Sequence, residues 1–332
     1  MQARRRALGG LGAAFRACAP PPITPRMRPA RRLAATLPAA MARPPPLATV
    51  PLAADVAPAS LHARYKRFLA DVSFGGGAAL TTVHCPNTGP MVGLLDALPA
   101  PALAARAANA ATRKYAHTLV AIRPTPSEPW VGVHSAAANG AVAALIEQGA
   151  LEGLLPKRAE GRPVSREVKY GPGGRSRADM VLHTGDGGAG GDVVIEVKSV
   201  SLAAGAPASP APRRALFPDT VSARASRHAA DLAAVARAGR AAALIFLVQR
   251  GDCASFSPAS SRDPAYAAAL TDAAAAGVTL IALGCEVRHD PDARTLVLDY
   301  RGPLPIDLRA GSEPGVAAAK AEAAAQGKRR RE

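Results

Sequence analysis

Three residues near the middle of the chain have the types and spacing to do chemistry together. Asp179 opens one extended segment, and Glu196-Val197-Lys198 lies on the next, 17 residues later, with a glycine-rich connection from Gly185 to Gly191 between them. Alternate residues of a strand point to the same face, so Glu196 and Lys198 project together while Val197 packs behind. If the strand of Asp179 is the hairpin neighbour, two carboxylates and an ammonium gather where the strands open to solvent. Hydrolysis of a phosphodiester needs that set: hard oxygen ligands for Mg²⁺ (or Mn²⁺), a metal-activated water and a cation near the scissile phosphate. Asp179 and Glu196 are then the metal ligands, and Lys198 orients the attacking water or stabilises charge in the transition state. The surrounding Val193, Val194, Ile195, Val197 and Val200 are apolar, and burying charge there without a role is costly. The competing explanation is a structural ion pair on a strand face.

The elements that must position these residues can be read from periodicity. Val142, Leu145 and Ile146, before Gly149, mark an amphipathic helix. Extended segments follow at Glu167 to Tyr170, Asp179 to Thr184 and Asp192 to Val200, then a helix from about Val221 to Ala238. Ala242 to Val248 is a continuous apolar strand of the kind buried in parallel sheets. Asp263 can cap a third helix whose first position suits Pro264 and which Gly277 ends, and Val278 to Val287 supplies a last apolar strand. The order is α-β-β-β-α-β, then α-β. Ala203 to Arg214 reads as an Ala/Pro-rich insertion without periodicity.

From Arg64 to Val133 the chain breaks into short apolar runs separated by Gly and Pro, the pattern of a small β-barrel or sheet. Arg64, Tyr65, Lys66, Arg67 and Phe68, with Arg113, Lys114 and Tyr115, mix cations with rings. A single-strand-binding barrel uses such a mixture, cations for phosphates and rings for bases; a solvated strand edge would also look like this. Arg177, and Arg224, Arg227 and His228 on one side of the second helix, could hold phosphates. Glu167 and Lys169 alternate as the later triplet does and could flank the site. Gln249 could position a nucleotide or a water.

The order of elements and the residues on them resemble the PD-(D/E)xK nuclease superfamily. The wider chain resembles the sugar fermentation stimulation protein A family, through blocks that keep their order over roughly residues 64 to 308. They include Arg64-Tyr65-Lys66-Arg67-Phe68, His84-Cys85-Pro86-Asn87-Thr88-Gly89-Pro90-Met91, Trp130-Val131-Gly132-Val133 and Glu167-Val168-Lys169-Tyr170-Gly171. Further on come Ser176-Arg177-Ala178-Asp179, Val194-Ile195-Glu196-Val197-Lys198-Ser199-Val200, Phe217-Pro218-Asp219, Val248-Gln249-Arg250 and Asp263-Pro264-Ala265-Tyr266. The resemblance implies an α/β and β architecture: an N-terminal OB-like β-barrel over 55–135, then a nuclease-like αβββαβ core with a mixed sheet over 136–308. It also implies DNA binding. The family pattern has a Glu on the first helix where this chain has Ala144; Glu147, one turn on, is the candidate substitute as a metal ligand. A family Asn in the tryptophan block is His134 here.

Composition constrains the rest. The net charge is +16, of which nine Arg and no acid in the first 54 residues carry +9 and the basic end from Lys328 carries +3, leaving +4 between. The central part is thus only mildly basic, which permits contact with phosphate backbones without demanding it. The Ala/Arg/Pro-rich opening, 1–54, resembles an organellar transit peptide, the chloroplast standing before the mitochondrion as destination. Residues 309–332 read as a basic tail. Cys18, Cys85, Cys253 and Cys285 form no CxxC pair, so neither a zinc ribbon nor a disulfide framework is suggested. No run reaches the roughly 18 apolar residues of a spanning helix, so the expectation is a soluble protein with DNA as partner and RNA as second candidate. Whether it cuts or, as a regulatory module on a nuclease scaffold, only binds is open at this level, as is its oligomeric state.

Overall fold

The computed structural model describes residues 44–174, 176–185, 191–206 and 211–309. The basic tail and most of the Arg-rich opening therefore lie outside the described residues. The opening was expected to run to residue 54, but β1 (Ala48–Ala53) is a folded strand, paired antiparallel with a strand 250 residues away. Val50 is fully buried in the larger core, so this segment is fixed by long-range packing that no local pattern announces.

Six strands follow: β2 (Val56–Tyr65), β3 (Leu69–Phe74), β4 (Leu80–His84), β5 (Ala100–Arg106), β6 (His117–Ile122) and β7 (Val131–Gly132). Their order is β4-β3-β2-β5-β6-β7, and a further pairing of β4 with β6 at His84 and Thr118 closes the first five into a barrel. Closure removes the exposed edges a five-stranded sheet would otherwise present. Leu61, Val72, Val83, Leu119 and Ile122 fill its interior.

The second half contains α1 (Ala137–Glu147), β8 (Ser165–Tyr170), β9 (Ser176–Leu182), β10 (Val193–Val200), β11 (Leu202–Ala204), β12 (Arg213–Phe217), α2 (Ala223–Arg237), β13 (Ala242–Gln249), β14 (Cys253–Pro258), α3 (Pro264–Ala275), β15 (Thr279–Asp290) and β16 (Thr295–Leu304). A seven-stranded sheet runs β1-β16-β15-β13-β10-β9-β8. It is mixed: β10, β13 and β15 are parallel, and the outer pairs are antiparallel. Every residue of β13 is buried, as a central parallel strand with both faces covered requires. The core on the α1 side of the sheet contains Val142, Leu145, Val197 and Ile245. The core on the other side contains Leu232 of α2 and Leu270 of α3 with Val194, Leu244 and Phe246.

The expected order of helices and strands is present, with four unforeseen strands added beyond Asn139. β11 and β12 bracket the segment read as an insertion and form, with β14, a separate three-stranded sheet. β16 returns along β15. Asp263 does cap α3, its carboxylate accepting the Tyr266 N–H at 3.0 Å, and its other oxygen accepts the Ser222 N–H at 2.8 Å. One side chain thereby fixes the start of α3 and the N-cap residue of α2 together.

Candidate functional site

Asp179 and Glu196 sit where β9 and β10 part. The antiparallel ladder between these strands ends at Ile195 opposite Met180. One step further, the carboxylate of Asp179 takes over from the backbone, accepting the Val197 N–H at Oδ2 (2.7 Å). Its Oδ1 accepts the side-chain amide of Asn139 in the first turns of α1 (2.7 Å). Val197 packs into the α1-side core, which sends Glu196 and Lys198 to the other face of the sheet.

The Glu196 side chain is fully buried. Its Oε1 accepts the Tyr170 hydroxyl at 3.0 Å, and its Oε2 meets Lys198 Nζ at 2.9 Å and His228 Nδ1 at 2.6 Å. Burial works to raise its pKa, but the His228 hydrogen bond and the Lys198 ammonium outweigh it and hold the carboxyl at about 2. Asp179 goes the other way. Burial and the charge of Glu196 push its carboxyl up despite Lys198 and its two hydrogen-bond donors. Burial and the same Glu196 charge also push the Tyr170 hydroxyl up, so it remains a donor.

Asp179, Glu196 and Lys198 line one cleft of about 580 Å³. Its walls come from both halves of the chain: Arg67, Asn87, Thr88 and Gly89 from the barrel, and Glu167, Thr220 to Ser222, Arg224 and His228 from the second half. Asp219 ties the halves together at this point, accepting the Met91 N–H at 3.2 Å. A Cβ on Gly89 would lie 2.3 Å from its carboxylate, so only glycine allows this approach. Outside the cleft lining, Glu128 of the barrel side receives Arg213 at 2.8 Å, with Arg250 at 3.7 Å and Asp252 completing a largely buried cluster of alternating charge.

Several residues proposed from the sequence have other roles. Glu147 is absent from the cleft: it lines a separate cavity with Glu152 and Glu160. The reason is helical rise, since Asn139 already occupies the α1 position facing Asp179 and Glu147 lies about 12 Å further along the axis. Ala144 packs against the α1-side core. Arg64 spends its guanidinium on the carbonyls of Arg67 (2.9 Å) and Asn87 (2.7 Å), so it supports the turn that presents Arg67. The Tyr65 hydroxyl is engaged by Asp71 and Thr82. Lys66 is exposed at that same turn, whereas Arg113 and Lys114, before β6, do not line the cleft. Arg177 and Lys169 face each other across β9 and β8 as like charges outside the cleft lining. Glu167, on β8, does line it. Arg224 borders the cleft and Arg227 does not. Gln249 is buried, donating to Ser199 Oγ at 2.7 Å, and does not itself line the cleft. His228, expected to meet phosphate, is buried against Glu196.

Asn139, Tyr170 and this role of His228 were not foreseen, because each acts through a contact between elements distant in sequence. The hard oxygen donors a metal ion could use are the carboxylates of Asp179 and Glu196, each of whose oxygens already accepts a hydrogen bond here. Among the described residues no group of three His, Cys, Asp or Glu is placed to hold one. Two carboxylates suit Mg²⁺, which keeps several waters and takes further oxygens from substrate phosphates. The elevated Asp179 carboxyl also fits, since a cation there would relieve its burial beside Glu196.

Comparison with known proteins matches both halves. A family model described as the SfsA N-terminal OB domain matches residues 63–133, and one described as the sugar fermentation stimulation protein RE domain matches residues 136–291. A sugar fermentation stimulation protein homolog from Picosynechococcus sp. is 38% identical over 237 residues, covering 71% of this chain and 86% of its own length. The homolog from Synechococcus elongatus is 37% identical over 246 residues, 74% of this chain and 92% of its own. That from Alkalilimnicola ehrlichii is 42% identical over 221 residues, covering 66% and 86%. The solved structure of Pyrococcus furiosus SfsA in complex with Ca²⁺ superposes with a TM-score of 0.63 at 23% identity, covering 78% of this chain and 99% of that one.

Proposed function

The chain belongs to the sugar fermentation stimulation protein family, and from that premise we propose that it is a DNA-binding protein whose cleft is a metal-dependent phosphodiester-hydrolysing site of the PD-(D/E)xK type. The observation that carries this reading is the convergence of Asp179, Glu196 and Lys198 on one cleft that residues of the barrel also line. Asp179 and Glu196 would hold Mg²⁺ or Mn²⁺; the relative from Pyrococcus furiosus was solved with Ca²⁺, another oxygen-seeking divalent ion. When bound, such an ion supplies Lewis acidity and a water of lowered pKa. Lys198 holds its ammonium 2.9 Å from Glu196, where it can orient a water or meet charge developing on phosphate. Arg67 and Arg224, which both line the cleft, bind flanking phosphates.

A non-catalytic binding module is the second reading, favoured by one observation: α1 offers Asn139 rather than an acid to Asp179. The two separate when the protein is incubated with labelled single- and double-stranded DNA and RNA in Mg²⁺, Mn²⁺ or chelator, beside Lys198→Ala. Metal-dependent cutting that the variant loses supports hydrolysis. Salt-sensitive binding retained by the variant, with no cutting in any metal, supports the module. RNA cut in preference to DNA would move the activity to RNA.

Organelle import is proposed on the acid-free, Arg-rich opening alone. Since β1 begins at Ala48, the address must end before it. Residues 1–47 fused to a fluorescent protein should reach a chloroplast or mitochondrion, and a fusion that stays in the cytosol refutes the proposal.

A further inference from the structure

His228 is buried, yet three charged groups face its imidazole. Glu196 Oε2 lies 2.6 Å from Nδ1, Lys198 Nζ lies 3.4 Å from the same nitrogen, and Arg224 Nε lies 3.4 Å from Nε2. Nδ1 cannot donate to the carboxylate and accept from the ammonium at once. The carboxylate is nearer, and Lys198 already has Glu196 as its own partner at 2.9 Å. The hydrogen therefore sits on Nδ1, and Nε2 turns a lone pair toward the Arg224 guanidinium. Arg224 and His228 are four residues apart on α2, the spacing at which helical side chains meet.

We infer that His228 is a positioning residue that couples two groups of the cleft: it fixes the Glu196 carboxylate through Nδ1–H and holds the Arg224 guanidinium at the cleft edge through Nε2. This rests on the reading of the cleft as a nucleic-acid site, and it adds a specific dependence. The acid on β10 and the phosphate-binding cation on α2 keep their mutual spacing through one imidazole rather than independently. Without it, Arg224 is an exposed, rotamer-rich side chain that must be ordered by each substrate it binds, at an entropic cost.

Two measurements on the full chain test the coupling. In nitrogen-15 NMR of metal-free protein, the His228 ring should show a protonated Nδ1 and a bare Nε2, and Arg224→Ala should move the Nε2 signal while leaving Nδ1. A proton on Nε2 with Nδ1 bare, or an Nε2 signal indifferent to Arg224→Ala, overturns the inference. The second measurement uses a fluorescein-labelled oligothymidylate in EDTA. His228→Asn keeps an N–H donor near the Nδ1 position but offers nothing to Arg224, so it should weaken binding roughly tenfold, as Arg224→Ala does, for the loss of a charge-assisted contact. The double variant should be no weaker than Arg224→Ala, because both changes remove the same contact. Losses that add would overturn the coupling. Should the parent protein bind no oligonucleotide, the nucleic-acid reading fails while the ring signals still decide the coupling.

Discussion

The electrostatics of Glu196 predict a specific acid sensitivity. Its carboxyl is held at about 2 against an ordinary value of 4.5, because His228 and Lys198 outweigh the effect of burial. At 1.36 kcal/mol per pH unit, ionised Glu196 contributes about 3 kcal/mol to stability. A depressed folded-state pKa means that this contribution is complete above pH 4.5 and drains away as the pH falls toward 2. Asp179 titrates with the opposite sign, since its carboxyl is pushed up by burial and by Glu196: its contribution is present at low pH and lost as the pH rises through its folded value. The comparison should therefore be made in an Asp179→Asn background, with and without Glu196→Gln. Urea unfolding followed through the single tryptophan, Trp130, gives the stability of each. The gap between the two variants should shrink by about 3 kcal/mol between pH 5 and pH 2. Parallel stability profiles across that window would refute the assignment of Glu196 as a buried, ionised, clamped carboxylate.

Packing and charge give further expectations. A Cβ on Gly132 would lie 2.5 Å from the buried Gln249 Oε1, so Gly132→Ala should lower stability by about 1–3 kcal/mol in urea titration through overpacking. Adding Gln249→Ala should recover part of that loss. Glu128→Ala leaves Arg213 and the buried Arg250 with Asp252 as their one carboxylate partner; calorimetry and urea should report a loss of about 3 kcal/mol, the low end for breaking a buried ion pair. Arg67→Ala and Arg224→Ala should each reduce the salt dependence of oligonucleotide binding by about one unit of slope, whereas Arg177→Ala, outside the cleft lining, should not.

What the sequence discloses and what it hides divide along physical lines. β13 was readable because eight consecutive buried residues leave an uninterrupted apolar run, and α3 because Asp263 and Pro264 mark its start by local chemistry. The Glu196-Val197-Lys198 alternation shows its facing by strand periodicity alone. β1 was hidden because Pro51 and small residues give no strand signal, and its pairing with β16 is the cause of its form. β11 and β12 are 3 and 5 residues long, too short for periodicity to register. Glu147 shares a helix face with the site by spacing, but distance along the axis carries it into a separate cavity. His228 shares the helix pattern of Arg224 and Arg227, and only the tertiary approach of α2 to β10 turns it inward to Glu196.

The claim on which the account depends is that Asp179 and Glu196 together hold a divalent cation, and Mn²⁺ titration followed by electron paramagnetic resonance tests it directly. One saturable site per chain is expected in the parent protein, abolished by Asp179→Asn and by Glu196→Gln and unaffected by Glu147→Gln. No saturable site in the parent, or binding unchanged in both carboxylate variants, would contradict it.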